Sequence, residues 1–185
     1  MSVSSTDSAP HDLELVIDFV NTLNLDQGLD DLFKPEDLAA WLDQRGLVEQ
    51  GAVASAAQLT RAHDLRQALR AILVVHNGAA ENGLPPSAAL ESVAERGRLS
   101  VRFAADGSVR VAPRAMGVDG ALAALLAPIA RASSDGSWAR VKACADDDCQ
   151  WAFYDRSRNR SGRWCDMAEC GNRAKVRAYR TRRTA

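Results

Sequence analysis

Apolar residues recur at three- and four-residue spacing from His11 to Leu23, so that Leu13, Val16, Ile17, Val20 and Leu23 fall on one side of a helix. Asn24 to Lys34 is a polar connection. Pro35 with Glu36 and Asp37 opens a second helix: proline lacks the amide that a first turn leaves unbonded, and the acids meet the free amides beside it. Leu38, Trp41 and Leu42 make its apolar stripe and Gly46 its stop. Val53 to about His76 is the longest helical pattern, with Leu59, Leu65, Leu69, Ile72 and Leu73 set among Arg61, Arg66 and Arg70. Gly78 and Asn82-Gly83 end it, and a short helix from Ser87 to Arg96 follows Pro85-Pro86, with Ser87 as cap and Leu90 and Val93 inward.

The period changes to two around Asp106-Gly107, with Val101 and Phe103 alternating before the turn and Val109 and Val111 after it, which is the signature of a hairpin. Asp119 is placed to cap a further helix carrying Leu122, Leu125, Leu126 and Ile129, kinked or ended by Pro128. Arg131 to Ser137, rich in Ala, Ser, Asp and Gly, is the candidate linker. The expected fold class is mainly α with a small β-hairpin, followed by a distinct C-terminal module.

Charge divides the chain at the same place. Residues 1 to 140 hold 12 Lys/Arg against 18 Asp/Glu, a net of −6, and residues 141 to 185 hold 11 against 6, a net of +5. A basic segment of this kind points to an anionic partner or a solvated tail. The polar lead, residues 1 to 10, lacks the basic start and apolar stretch of a secretory signal. The longest nearly apolar run, Ala121 to Ala130, has about half the roughly 20 residues a membrane crossing needs, so no membrane partner is expected and the expected location is cytoplasmic.

All four cysteines lie in the basic part, as Cys144-x4-Cys149, 15 intervening residues, and Cys165-x4-Cys170. Two close pairs joined by a hairpin-length stretch can converge on one Zn2+, and four thiolates leave no open position, so the metal would be structural. Two disulfides or an iron–sulfur cluster would use the same residues. Gln150 to Tyr154 suits a strand, Arg156 to Gly162 a polar turn, and Met167 onward a helix whose beginning holds Cys170, a treble-clef-like layout. Asp146, Asp147 and Asp148 read as a solvated acidic loop near the basic helix. Trp151, Phe153 and Trp164 are expected to cover the metal site.

The segment from Cys144 to about Arg183, with Phe153, Asp155, Ser157, Arg163-Trp164 and the terminal Cys170-Gly171-Asn172-Arg173, resembles the CGNR zinc-finger family. Phe19-Val20-Asn21-Thr22 is similar to a Phe-x-Asn-Thr element near the start of the ABATE domain that usually precedes that finger. The resemblance implies a regulator of transcription laid out as a flexible lead (1–10), an ABATE-like helical domain (11–132), a linker (133–140) and the zinc finger (141–185).

Further expectations follow from the residues. Arg173, Lys175, Arg177, Arg180, Arg182 and Arg183 set positive charge along about three turns, where DNA phosphates can be approached, with Arg177, Arg180 and Arg183 in a projecting stripe and Val176 and Tyr179 packed against Trp164. Arg173 can instead pair internally with Asp155 or Asp166. One short helix makes few contacts, so a homodimer would strengthen binding; the same surface would also suit an acidic protein. Asn21 and Thr22 either line a pocket for a small-molecule effector or close their helix with hydrogen bonds, and Arg61, Arg66 and Arg70 form a solvated face. No catalytic motif is present, and no enzymatic activity is assigned.

Overall fold

The computed structural model describes residues 11–79 and 87–184. The lead and the Asn82-Gly83 and Pro85-Pro86 signals lie outside them. Helix α1 (His11–Asn21) runs into a two-residue antiparallel pair, β1 (Leu23–Asn24) and β2 (Leu29–Asp30), where the sequence suggested only a polar connection. Helices α2 (Pro35–Gln44), α3 (Ala56–His76) and α4 (Ser87–Arg96) follow. α3 starts three residues later than its apolar pattern, because Ser55 and Gln58 form a capping box that fixes the first turn there.

The hairpin forms as expected, with β3 (Ser100–Phe103) against β4 (Val109–Ala112). The next helical pattern divides into α5 (Gly117–Ala124) and α6 (Leu126–Asp135). Pro128 kinks neither, since it sits in the first turn of α6, where an amide is dispensable. Asp119 is not the cap of α5 either; it lies one turn in, bonded to Gln58 and Arg61 of α3.

The expected linker carries structure: it holds the end of α6 and a 3-10 turn, Trp138–Arg140, in which Trp138 is buried against His76. Strand β5 (Val141–Ala143) continues from that turn and pairs antiparallel with β6 (Ala152–Tyr154). A π-helical turn, Met167–Gly171, then leads into α7 (Asn172–Thr184).

One apolar core joins Leu13, Phe19, Leu42, Leu69 and Leu122 of the helices to Val141, Ala143 and Ala152 of the β5–β6 hairpin. β5 packs along α3 and β6 against α1, so the metal-module hairpin forms one wall of the helical body. The cysteines form a second, smaller cluster, covered by Trp151 and Trp164.

The arginines of α3 are not a solvated face. Arg66 and Arg70 are 2% and 3% exposed, because α1 and the β1–β2 turn close over them and supply oxygen atoms. Arg66 donates to both carboxylate oxygens of Asp30 at 2.7 Å and to Thr22 Oγ1. Arg70 donates to the carbonyls of Val20 and Leu23. Burial alone would raise the Asp30 carboxyl, but the Arg66 guanidinium outweighs it and holds the group below the usual carboxylate range.

Candidate metal centre and basic helix

The hairpin builds the first half of the centre. Cys144 follows β5 directly, and its amide donates to the Trp151 carbonyl at 2.9 Å, so the four residues between Cys144 and Cys149 form a closed knuckle at the hairpin tip. Gln150 takes a left-handed φ of 44° to return the chain into β6. In the second half, Asp166 accepts from the amides of Ala168 and Glu169 and starts the π-turn that carries Cys170. Asn172 braces that turn by donating to the Ala168 carbonyl. Gly171 packs closely: a Cβ there would stand 2.6 Å from Met167 Sδ and 3.4 Å from the Trp164 ring, so the exposed methionine would have to move aside.

The four sulfur atoms lie within 4.8 Å of one another, with Cys165 at 3.7 Å from both Cys149 and Cys170. Four sulfurs about 2.3 Å from a central ion span tetrahedron edges of roughly 3.8 Å, so the cluster is of a size to hold one metal ion. No pair is disulfide-bonded. Burial, with Cys144 close by, pushes the Cys149 thiol up to about 12, and burial likewise raises Cys165. A cation among them is what would keep four thiolates together.

Asp146, read from sequence as part of a solvated loop, is 1% exposed, whereas Asp147 and Asp148 are exposed as expected. Its burial follows from α7 closing over the knuckle. Arg177 stands 3.0 Å from Asp146 Oδ1; Arg173 Nε stands 3.0 Å from Oδ2, within ion-pair range although neither atom is aligned for a hydrogen bond. Arg173 also donates to Cys170 Sγ at 3.2 Å and to Asp26 of the β1–β2 turn at 2.7 Å. The expectation of internal pairing for Arg173 thus holds with different partners.

Asp155 is taken by Lys142, with Ser157 and Gly162 donating their amides to it. Lys142 was not legible from the sequence as a buried residue. Its ammonium is closed in by Asp155 at 2.7 Å and by the carbonyls of Arg160 and Gly162.

These anchors draw Arg173 and Arg177 toward the knuckle, while Arg177, 52% exposed, and Arg180 stay at the surface. At about 100° per residue, Arg173, Arg177 and Arg180 share one stripe, Lys175 and Arg182 lie on the opposite side, and Val176 and Tyr179 fall between. Val176 and Tyr179, between the stripes, are 48% and 55% exposed. Lys175 and Arg182 are exposed on the outer face. The side chain of Arg183 lies outside the described residues. Arg156, Arg158 and Arg160, exposed in the loop after β6, were not singled out by sequence.

Asn21 and Thr22 have interior partners. Thr22 is buried and donates to the Phe19 carbonyl. Asn21 donates to the Ala152 carbonyl at 2.9 Å and accepts from the Ala152 amide at 2.8 Å, pairing with β6 as a neighbouring strand would. At the end of α3, His76 meets the Val141 carbonyl, and Asn77 donates to the carbonyls of Ala143 and Arg163. Asn21→Ala should cost about 1–3 kcal/mol, since it leaves both Ala152 groups unpaired in a partly buried joint, and urea unfolding of full-length protein would measure it. A change below about 0.5 kcal/mol would show that water replaces the amide.

These features define a two-part protein: a helical body whose wall is completed by a hairpin, and a four-cysteine metal module that ends in a basic helix. Residues 13–135 match the ABATE family, described as "Putative stress-induced transcription regulator", and residues 140–183 match the CGNR zinc finger. The chain belongs to the ABATE family and carries a CGNR zinc finger at its C-terminal end. No curated protein matches it. Among the described residues, no helix is long and apolar enough to cross a membrane.

Proposed function

We propose that this protein is a cytoplasmic transcription regulator that binds duplex DNA through a zinc-stabilised C-terminal module, with the helical N-terminal domain as sensor or partner-binding region. Zn2+ suits the centre because four soft thiolates in a closed tetrahedral shell favour it, and no open position is left for chemistry on the ion. Cys144, Cys149, Cys165 and Cys170 would hold it, and its contribution is folding energy for a module with a small core.

The observation that carries the DNA reading is the two-sided α7. Arg173 and Arg177 tie one stripe to the buried Asp146, while Lys175 and Arg182, two turns apart, occupy the exposed opposite stripe. A helix held rigidly by one face with cations on the other suits phosphate contacts, which position a protein without reading sequence. A homodimer would double those contacts.

The test is a titration of full-length protein against a labelled duplex at several salt concentrations. Each phosphate neutralised contributes about 0.9 to the slope of log affinity against log salt. Lys175→Ala with Arg182→Ala should therefore lower the slope by up to about 2 while metal content stays at the parent value. An unchanged slope would remove α7 from the interface. The exposed Val176 and Tyr179 beside these cations favour, as second reading, an acidic protein partner; equal affinity for duplex and for polyglutamate would support it.

A further inference from the structure

The β3–β4 hairpin stands out from the helical body: all ten residues from Val101 to Arg110 are exposed. Its register places Val101 opposite Val111 and Phe103 opposite Val109 on one face, and Arg102 directly opposite Arg110 on the other. Val101, Val109, Arg110 and Val111 line a groove of about 500 Å³ with Asp12 of α1 and Ala127, Pro128 and Arg131 of α6. Both arginines are exposed along the ribbon.

Like charges directly opposite each other across an antiparallel pair repel, with Cβ atoms only about 5 Å apart. Asp12, which lines the groove with Arg110, pairs with Arg131. From Arg96 to Arg114 there are five arginines and a single acid, Asp106, in a 140-residue region whose net charge is −6. Asp106 is occupied at the turn, where it accepts from the Ser108 amide. Among the described residues none of the five arginines takes part in an ion pair, although Arg61, Arg66 and Arg131 of the same domain all do.

We propose that the β3–β4 ribbon is a second nucleic-acid contact, which lays Arg102 and Arg110 on the phosphates of a duplex. It rests on the DNA reading above and adds a site outside the zinc module. A two-stranded ribbon fits the major groove in width, and a groove walled by phosphates accepts two cations held side by side. A lipid surface suits this ribbon less well, because its cationic and apolar residues point to opposite faces and cannot meet one membrane together.

The experiment compares full-length parent, R102A/R110A, R102K/R110K and K175A/R182A on one labelled duplex across a salt series, with circular dichroism and metal content as controls. R102A/R110A should lower the salt slope by up to about 2, and R102K/R110K, which keeps both charges, should restore most of it. If R102A/R110A keeps the parent slope and affinity while K175A/R182A loses them, the ribbon assignment is overturned and the zinc-module reading stands. If the parent shows no salt-dependent duplex binding, both are overturned. If R102A/R110A instead loses binding to phosphatidylserine vesicles or polyglutamate with duplex affinity unchanged, the ribbon meets a membrane or an acidic protein, and the nucleic-acid assignment is overturned.

Discussion

Replacing Cys149 or Cys170 by serine is expected to strip the protein of its metal and to loosen the helical body along with the C-terminal module. Structural zinc contributes roughly 10–16 kcal/mol in isolated finger peptides, far more than a module with one small apolar cluster can supply by other means. The reach into the body follows from the β5–β6 hairpin, whose Val141, Ala143 and Ala152 lie in the main core. When the knuckle at its tip opens, these residues and Trp138 lose their cover, at about 1.5–3 kcal/mol for each large side chain exposed. Metal analysis of untagged parent should return close to one equivalent per chain and each variant close to none. Hydrogen exchange should show the C-terminal turns of α1 and α3 losing protection together with residues 141–154. Full parental protection in α1 and α3 of a metal-free variant would show that the joint survives without the ion.

The next largest effect is expected at Lys142. Its side chain is 6% exposed and its partner Asp155 is 2% exposed. Removing one member of a buried pair leaves an uncompensated charge, which costs about 3–5 kcal/mol, so Lys142→Met should lower stability by that order at neutral pH. The pH dependence gives a second readout. Burial pushes the Asp155 carboxyl upward, but the Lys142 ammonium and the Ser157 amide outweigh it and hold the group at about 2, against 3.8 for a free side chain. A carboxyl depressed by folding stabilises the native state above its unfolded pKa and loses that contribution as the pH falls through the folded value. Asp155 in the parent should thus contribute about 2 kcal/mol above pH 4 and progressively less from 3.8 down to 2. In Lys142→Met the acid-unfolding midpoint should move to higher pH. Urea midpoints of parent and variant between pH 7 and pH 2 measure both effects; a variant within 1 kcal/mol of parent throughout would mean the pair is dispensable.

What the sequence made legible was what local pattern decides. The four-cysteine cluster follows from paired spacing, and α2, α3 and the β3–β4 hairpin follow from apolar period and turn residues. β5 was missed because Val141-Lys142-Ala143 is only three residues long, too short for a period to stand out, and the lysine is buried only because residues 13 to 20 positions later enclose it. Arg66 and Arg70 looked like solvent-facing helical cations for a similar reason: their partners lie 36 to 50 residues upstream, in α1 and the β1–β2 turn. The internal partners of α7 escaped the sequence on one residue. Helical angles gave its stripes correctly, but which stripe faces inward is set by Asp146, and nothing in the run Asp146-Asp147-Asp148 marks the first acid as the one that the helix buries.

The joint between body and hairpin has a one-sided vocabulary. Along the β5–β6 hairpin, Asn21, His76 and Asn77 contribute side chains from the body, and their hydrogen bonds are answered by main-chain atoms of Val141, Ala143, Ala152 and Arg163, while at α7 Arg173 reaches Asp26 by its side chain. Main-chain atoms are the same whatever residue carries them. Substitutions on the outward positions of the module therefore leave the grip intact as long as the course of the backbone is kept. The exposed surface of the finger can change without disturbing the hydrogen bonds that seat the hairpin.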